Sequence, residues 1–243
     1  MDVTPLVTVE RDGDVAVVTL RRERKLNALS MAVERELLDV LDGEAVKTSR
    51  AIVVTGAGRA FSAGADLSEI RDLDVDAIAA YYRDSGRVYE TVAGLPQVTV
   101  SAIHGYCLGG GLELALATDL RIADETAVFG LPEVGLGILP SSGGLTRLVR
   151  MLGTARAREL ILVGDQIDAT DAYRMGLVTT VTPAGEATVR ALELAHRLAR
   201  KPALGLTVAK QAIDAVAESS TAAALLIERL GYGMLNQSKG ARG

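Results

Sequence analysis

The sequence contains no Trp, two Phe and six Tyr, so aromatic residues make up only 3% of its 243 positions. A platform for single-stranded nucleic acid stacks bases on aromatic faces, and this chain has too few to build one. A single cysteine, Cys107, excludes a disulfide framework. One Cys with two His, His104 and His196, cannot furnish an ordinary closed zinc site, and no metal is expected. Positive charge is short as well. Lys and Arg number 26 against 31 Asp and Glu, a formal charge of −5, with a pI near 5.2. That balance argues against a surface that neutralises nucleic-acid phosphates. Apolar residues are plentiful: 49% of the chain is hydrophobic. A chain of this length and composition can bury a sizeable core, which excludes disorder as its main state.

The opening residues, MDVTPLVTVERDGD, lack a basic segment followed by an apolar run and do not read as a secretory leader. Thr91–Leu112 holds no Asp, Glu, Lys or Arg and is long enough to span a bilayer. It also holds Pro96, Gln97, His104 and five glycines, which would expose backbone polar groups to lipid. A buried strand, a tight turn and a buried helix start explain it better, and the protein reads as soluble and cytoplasmic, with no membrane partner.

VAVVTL (15–20), AIVVT (51–55) and VTVSAI (98–103) read as strands. Ser30 reads as the cap of a helix with Val33, Leu37, Leu38 and Leu41 on one face and Gly43 as its stop. Residues 75–92 read as a polar helix, LELALATD as a buried helix and LRIADETAVFG as a strand pair. Strand, glycine turn and helix recur about three times, the pattern of an α/β fold. After Pro140 the pattern becomes helical: LTRLVRMLG, then 155–163, 169–175, 186–200, 204–217 and 221–235. No Pro/Ser-rich linker intervenes, so the chain reads as one domain, residues 1–243, with a core to about 190 and a helical region over about 191–243.

Several motifs fail on inspection. Gly56-Ala57-Gly58 follows a strand, but Phe61 stands where a dinucleotide-binding turn needs its third glycine. Gly109-Gly110-Gly111 lacks the Gly-Lys-Ser/Thr of a phosphate loop, and PSSGG is no G-x-S-x-G elbow. His196 sits on a plain amphipathic helix, and His104 reads as packed or hydrogen-bonded rather than catalytic. What remains is a pair of glutamates in apolar, glycine-rich settings: Glu113 in GGGLELALA and Glu133 in FGLPEVGLGILP. Taken singly, each reads equally well as an exposed Glu. A buried carboxyl has a raised pKa, which suits proton transfer near neutral pH. Gly110-Gly111 opens a helix whose free N–H groups point outward, and Ala63–Asp66 offers a second small-residue turn. Two such amides aimed at one oxygen make an oxyanion hole, although ordinary turn glycines account for the spacing too.

FSAGADL (61–67), HGYCLGGGLELALATDLRIA (104–123) and FGLPEVGLGILP (129–140) resemble the enoyl-CoA hydratase/isomerase family, the crotonase superfamily. ERKLNALS (23–30), GGLTRLVRMLG (143–153) and ARELILVGDQIDATDAYRMGLVTTV (157–181) are similar to its linking segments, in the same order. The resemblance covers roughly residues 10 to 240. It implies a spiral of ββα repeats followed by a helical trimerisation region, and homotrimers that often pair into hexamers. It implies an acyl-CoA thioester as substrate, with coenzyme A carried in on the substrate and no separate cofactor. By the same resemblance the amides of Ala65 and Gly110 hold the thioester oxygen, and Glu113 and Glu133 are the catalytic pair. CoA binding falls to Lys25, Ala28, Ala63, Asp66 and Leu67. The RRERK run (21–25) offers charge for CoA phosphates, or else a solvated edge. Tyr106 and Leu108 are placed in the acyl pocket, with a core role equally open to Leu108.

Two carboxyls on one side of an alkene can activate water and deliver a proton, whereas an isomerase needs only a proton shuttle. The pair therefore favours hydration of a trans-2-enoyl-CoA over Δ3,Δ2-isomerisation, hydrolysis or decarboxylation, or a non-catalytic acyl-CoA-binding role. The chain departs from the family's usual Pro-Gly-Ala-Gly-Gly by having Ser141 and Ser142 after Pro140. It also ends at NQSKGARG, where many relatives continue into a segment that covers CoA, so a loosened grip on the nucleotide end, or a shift of that role to another element, is expected.

Overall fold

A computed structural model describes residues 4–70 and 74–237. The strands are β1 (Val7–Asp12), β2 (Val15–Leu20), β3 (Ala51–Gly56), β4 (Ala60–Ser62), β5 (Val98–Ile103), β6 (Tyr106–Leu108), β7 (Leu120–Asp124), β8 (Val128–Gly130), β9 (Ile167–Asp168) and β10 (Thr180–Thr182). The helices are α1 (Met31–Leu41), α2 (Glu44–Lys47), α3 (Leu67–Ile70), α4 (Val75–Gly94), α5 (Gly110–Ala117), α6 (Gly144–Arg158), α7 (Ala169–Arg174), α8 (Ala187–Ala199), α9 (Ala203–Ala217) and α10 (Thr221–Gln237).

Two sheets organise the chain. The larger has the order β1-β2-β3-β5-β7-β10 and is parallel except for the β1–β2 hairpin. The smaller has the order β4-β6-β8-β9, with β4, β6 and β8 parallel. Each of the units β3-β4, β5-β6 and β7-β8 therefore adds one strand to each sheet before a helix returns the chain. Repeated three times, this winds the chain into a spiral. The six-residue runs of β3 and β5 are buried throughout, as expected of parallel strands covered on both faces.

Ser30 caps α1 by accepting from the Val33 amide at 3.3 Å, and Val33, Leu37 and Leu41 are buried while Leu38 is half-buried. All eight residues of α5 are buried, as its all-round apolar sequence requires.

One sequence reading needs correction. LRIADETAVFG holds two strands, but they do not pair with each other. β7 joins the large sheet and β8 the small one, because the Asp124 carboxylate accepts from the amide and hydroxyl of Thr126 and turns the chain between them. LTRLVRMLG forms the short helix expected of it, because Gly153 (φ 76°, ψ 167°) is non-helical and divides α6 into two helices; the second runs to Arg158, and a π-helical stretch over Glu159–Val163 completes the helical run expected over 155–163. In α8, Ala187, Ala191, Ala195 and Ala199 pack on Val15, Val53, Val100 and Ile122 of the large sheet. The helices α9 and α10 have no buried residue, and they pack chiefly on each other. The tail after Gln237 lies outside the described residues. Among those residues no helix is long and apolar enough to cross a membrane, and no His/Cys/Asp/Glu cluster fits a metal.

Candidate active site

Because β4, β6 and β8 are parallel neighbours, the loops leaving their C-terminal ends lie side by side, the usual place for a ligand in such sheets. These loops enclose a cleft of about 90 Å³. Ala63, Ala65 and Leu67 reach it after β4, Gly109, Gly110 and Glu113 after β6, and Glu133 after β8. Ser141 and Ser142 close it from the turn before α6, and Tyr81 and Tyr89 from α4.

Two amides stand apart in this cleft. Among the described residues, neither Ala65 N–H nor Gly110 N–H donates a hydrogen bond. Flanking amides are engaged: Gly64 with Ser62 Oγ, Asp66 with the Leu29 carbonyl, Gly109 with the Gly130 carbonyl. The two free amides are close together, since a Cβ placed on Gly110 would lie 3.4 Å from Ala65 N. Gly110 also begins α5, so the positive end of that helix adds to the field at this point.

Glu113 and Glu133 are both buried, at 4% and 8% exposure, yet both line the cleft. Glu113 Oε1 accepts from the amides of Ser142 (2.8 Å) and Gly144 (3.0 Å). Burial pushes its pKa up, against the opposing pull of those two amides and of Arg147. A Cβ on Gly144 would come within 2.5 Å of Glu113 Cγ, so that glycine makes the room the carboxylate occupies. Glu133 is pushed up to about 7, chiefly by burial, with the negative charge of Glu113 adding to it. Among the described residues its Oε2 has no hydrogen-bond partner, an orphaned buried acceptor on a residue that lines the cleft. Gly109, at φ +49°, places no side chain where a Cβ would meet Glu133 Oε1 at 2.9 Å.

The remaining residues singled out in the sequence lie elsewhere. Lys25 is exposed and Ala28 half-buried, and neither lines the cleft. In the RRERK run it is Arg22 that is built into the structure: it pairs with Asp66 at 2.6 Å and donates to the Ala28 carbonyl. Asp66, held down to about 2 by the Ser68 hydroxyl and then by Arg22, is thus committed to an internal contact. Tyr106 is 41% exposed on β6, outside the cleft lining. Leu108 is half-buried with its side chain toward Gly130 and is likewise outside that lining. His104 Nε2 contacts the Gly58 carbonyl and His196 Nε2 contacts Asp12, both away from the cleft.

Sequence reasoning missed three contributors. Tyr81 and Tyr89 come from a helix with no motif, and their only signal is the scarcity of aromatics. Asn27, fully buried at φ +54°, ties the site together. Its Nδ2 donates to the carbonyls of Ala57 and Ala60, its Oδ1 accepts from Arg22 N, and its own carbonyl accepts from Ser62 Oγ. These bonds hold the loop that presents Ala65, and Asn is one of the few residues that accept a left-handed backbone.

The sequence pattern of the enoyl-CoA hydratase/isomerase family matches residues 10–240. A probable enoyl-CoA hydratase of Mycobacterium tuberculosis is 41% identical over 227 residues, covering 92% of this chain and 86% of that one. The short-chain-enoyl-CoA hydratase of Clostridium acetobutylicum is 36% identical over 230 residues, covering 93% and 88%. The crystal structure of an enoyl-CoA hydratase from Bacillus anthracis superposes with a TM-score of 0.91 at 36% identity, covering 96% of this chain and 92% of that one. With this match along nearly its whole length and the spiral of paired strands described above, the chain belongs to the enoyl-CoA hydratase/isomerase family and has the crotonase fold.

Proposed function

We propose that the protein is an enoyl-CoA hydratase, adding water syn across the double bond of a trans-2-enoyl-CoA to give a 3-hydroxyacyl-CoA. The observation that carries this reading is the convergence on one cleft of two buried carboxyls and two unengaged amides. The thioester oxygen sits on Ala65 N–H and Gly110 N–H. Glu113, its Oε1 anchored by two amides, orients a water and takes its proton as the oxygen bonds to Cβ. The alkene electrons move toward Cα and the thioester oxygen, where the amides stabilise the enolate charge. Glu133 delivers a proton to Cα, and exchange between the two carboxyls restores the starting state. The pair titrates as a coupled system, so these roles describe its main microstate.

A chain-length series of 2-enoyl-CoAs assayed for 3-hydroxyacyl-CoA, beside a 3-enoyl-CoA assayed for isomerisation, tests the proposal. Hydration as the faster reaction supports it; isomerisation without hydration, or no turnover of either, overturns it. The pH dependence follows from Glu133. With its pKa raised to about 7, it carries the proton below that value and loses it above. Hydration kcat is therefore expected to fall on the alkaline side of about 7, and to fall again at lower pH where Glu113, which must be ionised to take the water's proton, becomes protonated. An alkaline limb that starts several units higher would remove Glu133 as the donor.

We also propose assembly as a homotrimer, possible pairing of trimers included. The α9–α10 pair leaves Ile213, Leu226, Leu230 and Tyr232 more than half exposed, apolar surface that a second chain would cover. Light scattering is expected to give the mass of three or six 25.5 kDa chains; a monomer would refute it.

A further inference from the structure

Arg147 stands in the first turn of α6, a helix that carries neither of the two glutamates. It does not line the cleft. It is half-buried at the wall of a second cavity, the groove between α6 and α9. From there its guanidinium reaches back to the turn that grips Glu113, where Nη1 donates to the Ser142 carbonyl at 3.0 Å. The guanidinium also lies against Gly143, since a Cβ on that residue would collide with Nη1 and Cζ. Gly143, at φ +88°, stands between the two residues whose amides hold Glu113 Oε1, Ser142 at 2.8 Å and Gly144 at 3.0 Å. A planar cation is thus fastened to the three-residue turn that anchors the base.

We propose that Arg147 is a positioning residue: by holding the Ser142 carbonyl and packing on Gly143, it fixes the turn whose amides anchor the Glu113 carboxylate. This rests on the hydratase reading above. A carboxylate that must hold one water in line loses rate when its anchor wanders, because positioning is part of what the base contributes. Charge makes a second contribution. Arg147 draws the Glu113 pKa down, against the burial that pushes it up. The other groups facing Glu113 are Glu133 after β8 and the Tyr89 phenol on α4, so Arg147 is the cation of this set. Arg147 itself also faces Glu90 on α4 and Arg150 on its own helix. A guanidinium keeps its charge throughout the working pH range, so it favours the ionised base at every pH that matters.

The test is hydration of crotonyl-CoA by Arg147→Met and Arg147→Lys, with kcat, KM, the pH profile and the thermal midpoint measured. Arg147→Met removes both donor and charge. Its kcat is expected to fall roughly tenfold or more with KM nearly unchanged. The acid limb of its kcat profile, set by ionisation of Glu113, is expected to move up by about one pH unit. Arg147→Lys keeps the charge but not the planar fork. Its limb is expected to stay at the parental position while kcat recovers only in part. A merely structural role would lower the midpoint without moving the limb. An unmoved limb in Arg147→Met, kcat within twofold of the parent, or a limb that moves as far in Arg147→Lys would overturn the proposal. Should Arg147→Met fail to fold, Arg147→Gln removes the charge and keeps a donor, and an unmoved limb there would do so alone. A parent that hydrates no 2-enoyl-CoA would instead overturn the hydratase reading itself, which separates the two failures.

Discussion

Glu113→Gln is expected to slow hydration of a short trans-2-enoyl-CoA by roughly 10³- to 10⁴-fold while the protein folds as before. The two expectations share a cause. Gln keeps an oxygen that can accept from the amides of Ser142 and Gly144, so the turn before α6 retains its geometry. What it cannot do is accept a proton from water. Burial already penalises the charged form of Glu113, as its raised pKa shows, so a neutral isostere is no less comfortable there. Turnover by product formation and the thermal midpoint should therefore separate, with the first collapsing and the second staying within a few degrees. A variant retaining a tenth or more of the parental kcat would remove Glu113 from the chemistry.

Gly110→Ala should produce a second separation, of a different origin. The added methyl would stand 3.0 Å from the Tyr89 hydroxyl and 3.4 Å from Ala65 N, in the space where the two amides converge. Tyr89 must yield only slightly, and Gly110 has helical backbone, where Ala is favoured over Gly by about 1 kcal/mol. Folding stability is thus expected to be unchanged or slightly raised. Activity is expected to fall by about 10² to 10³, the usual consequence of losing one oxyanion donor. Gly111 is the control for this argument. Its Cβ would press on the Ser62 carbonyl at 2.4 Å, so Gly111→Ala is a folding defect rather than a selective loss. Parental kcat in Gly110→Ala would mean that the substrate oxygen binds elsewhere.

The adjacent glycines illustrate how much the sequence discloses. GGG after a strand announces a tight turn and a helix start, and both are there. It does not distinguish Gly109, which turns the backbone and clears Glu133, from Gly110, which clears an oxygen, or from Gly111, which lets α5 rest against β4. Those differences depend on what stands opposite, and what stands opposite comes from Ser62, Tyr89 and Glu133, far along the chain. The same holds for charge. RRERK looks like a single basic edge, yet Arg22 is drawn inward by Asp66 while Lys25 stays in solvent. Tyr106, two residues past His104 in the most recognisable motif, faces outward because alternation along β6 buries Cys107 instead.

Local pattern alone determined the strands β2, β3 and β5, the capped helix α1, the buried helix α5 and the two glutamates worth attention. Each of these follows from periodicity, turn chemistry or the cost of burying a carboxyl, all of which act over a few residues. Tertiary structure decided which cleft amides are left unpaired among the described residues, which oxygen of Glu133 lacks a partner there and which tyrosine hydroxyl stands beside Gly110. These are consequences of laying β4, β6 and β8 side by side, so that loops more than sixty residues apart share one small volume. Distance in space, not in sequence, sets a hydrogen bond or a desolvation penalty, and only the folded chain fixes that distance.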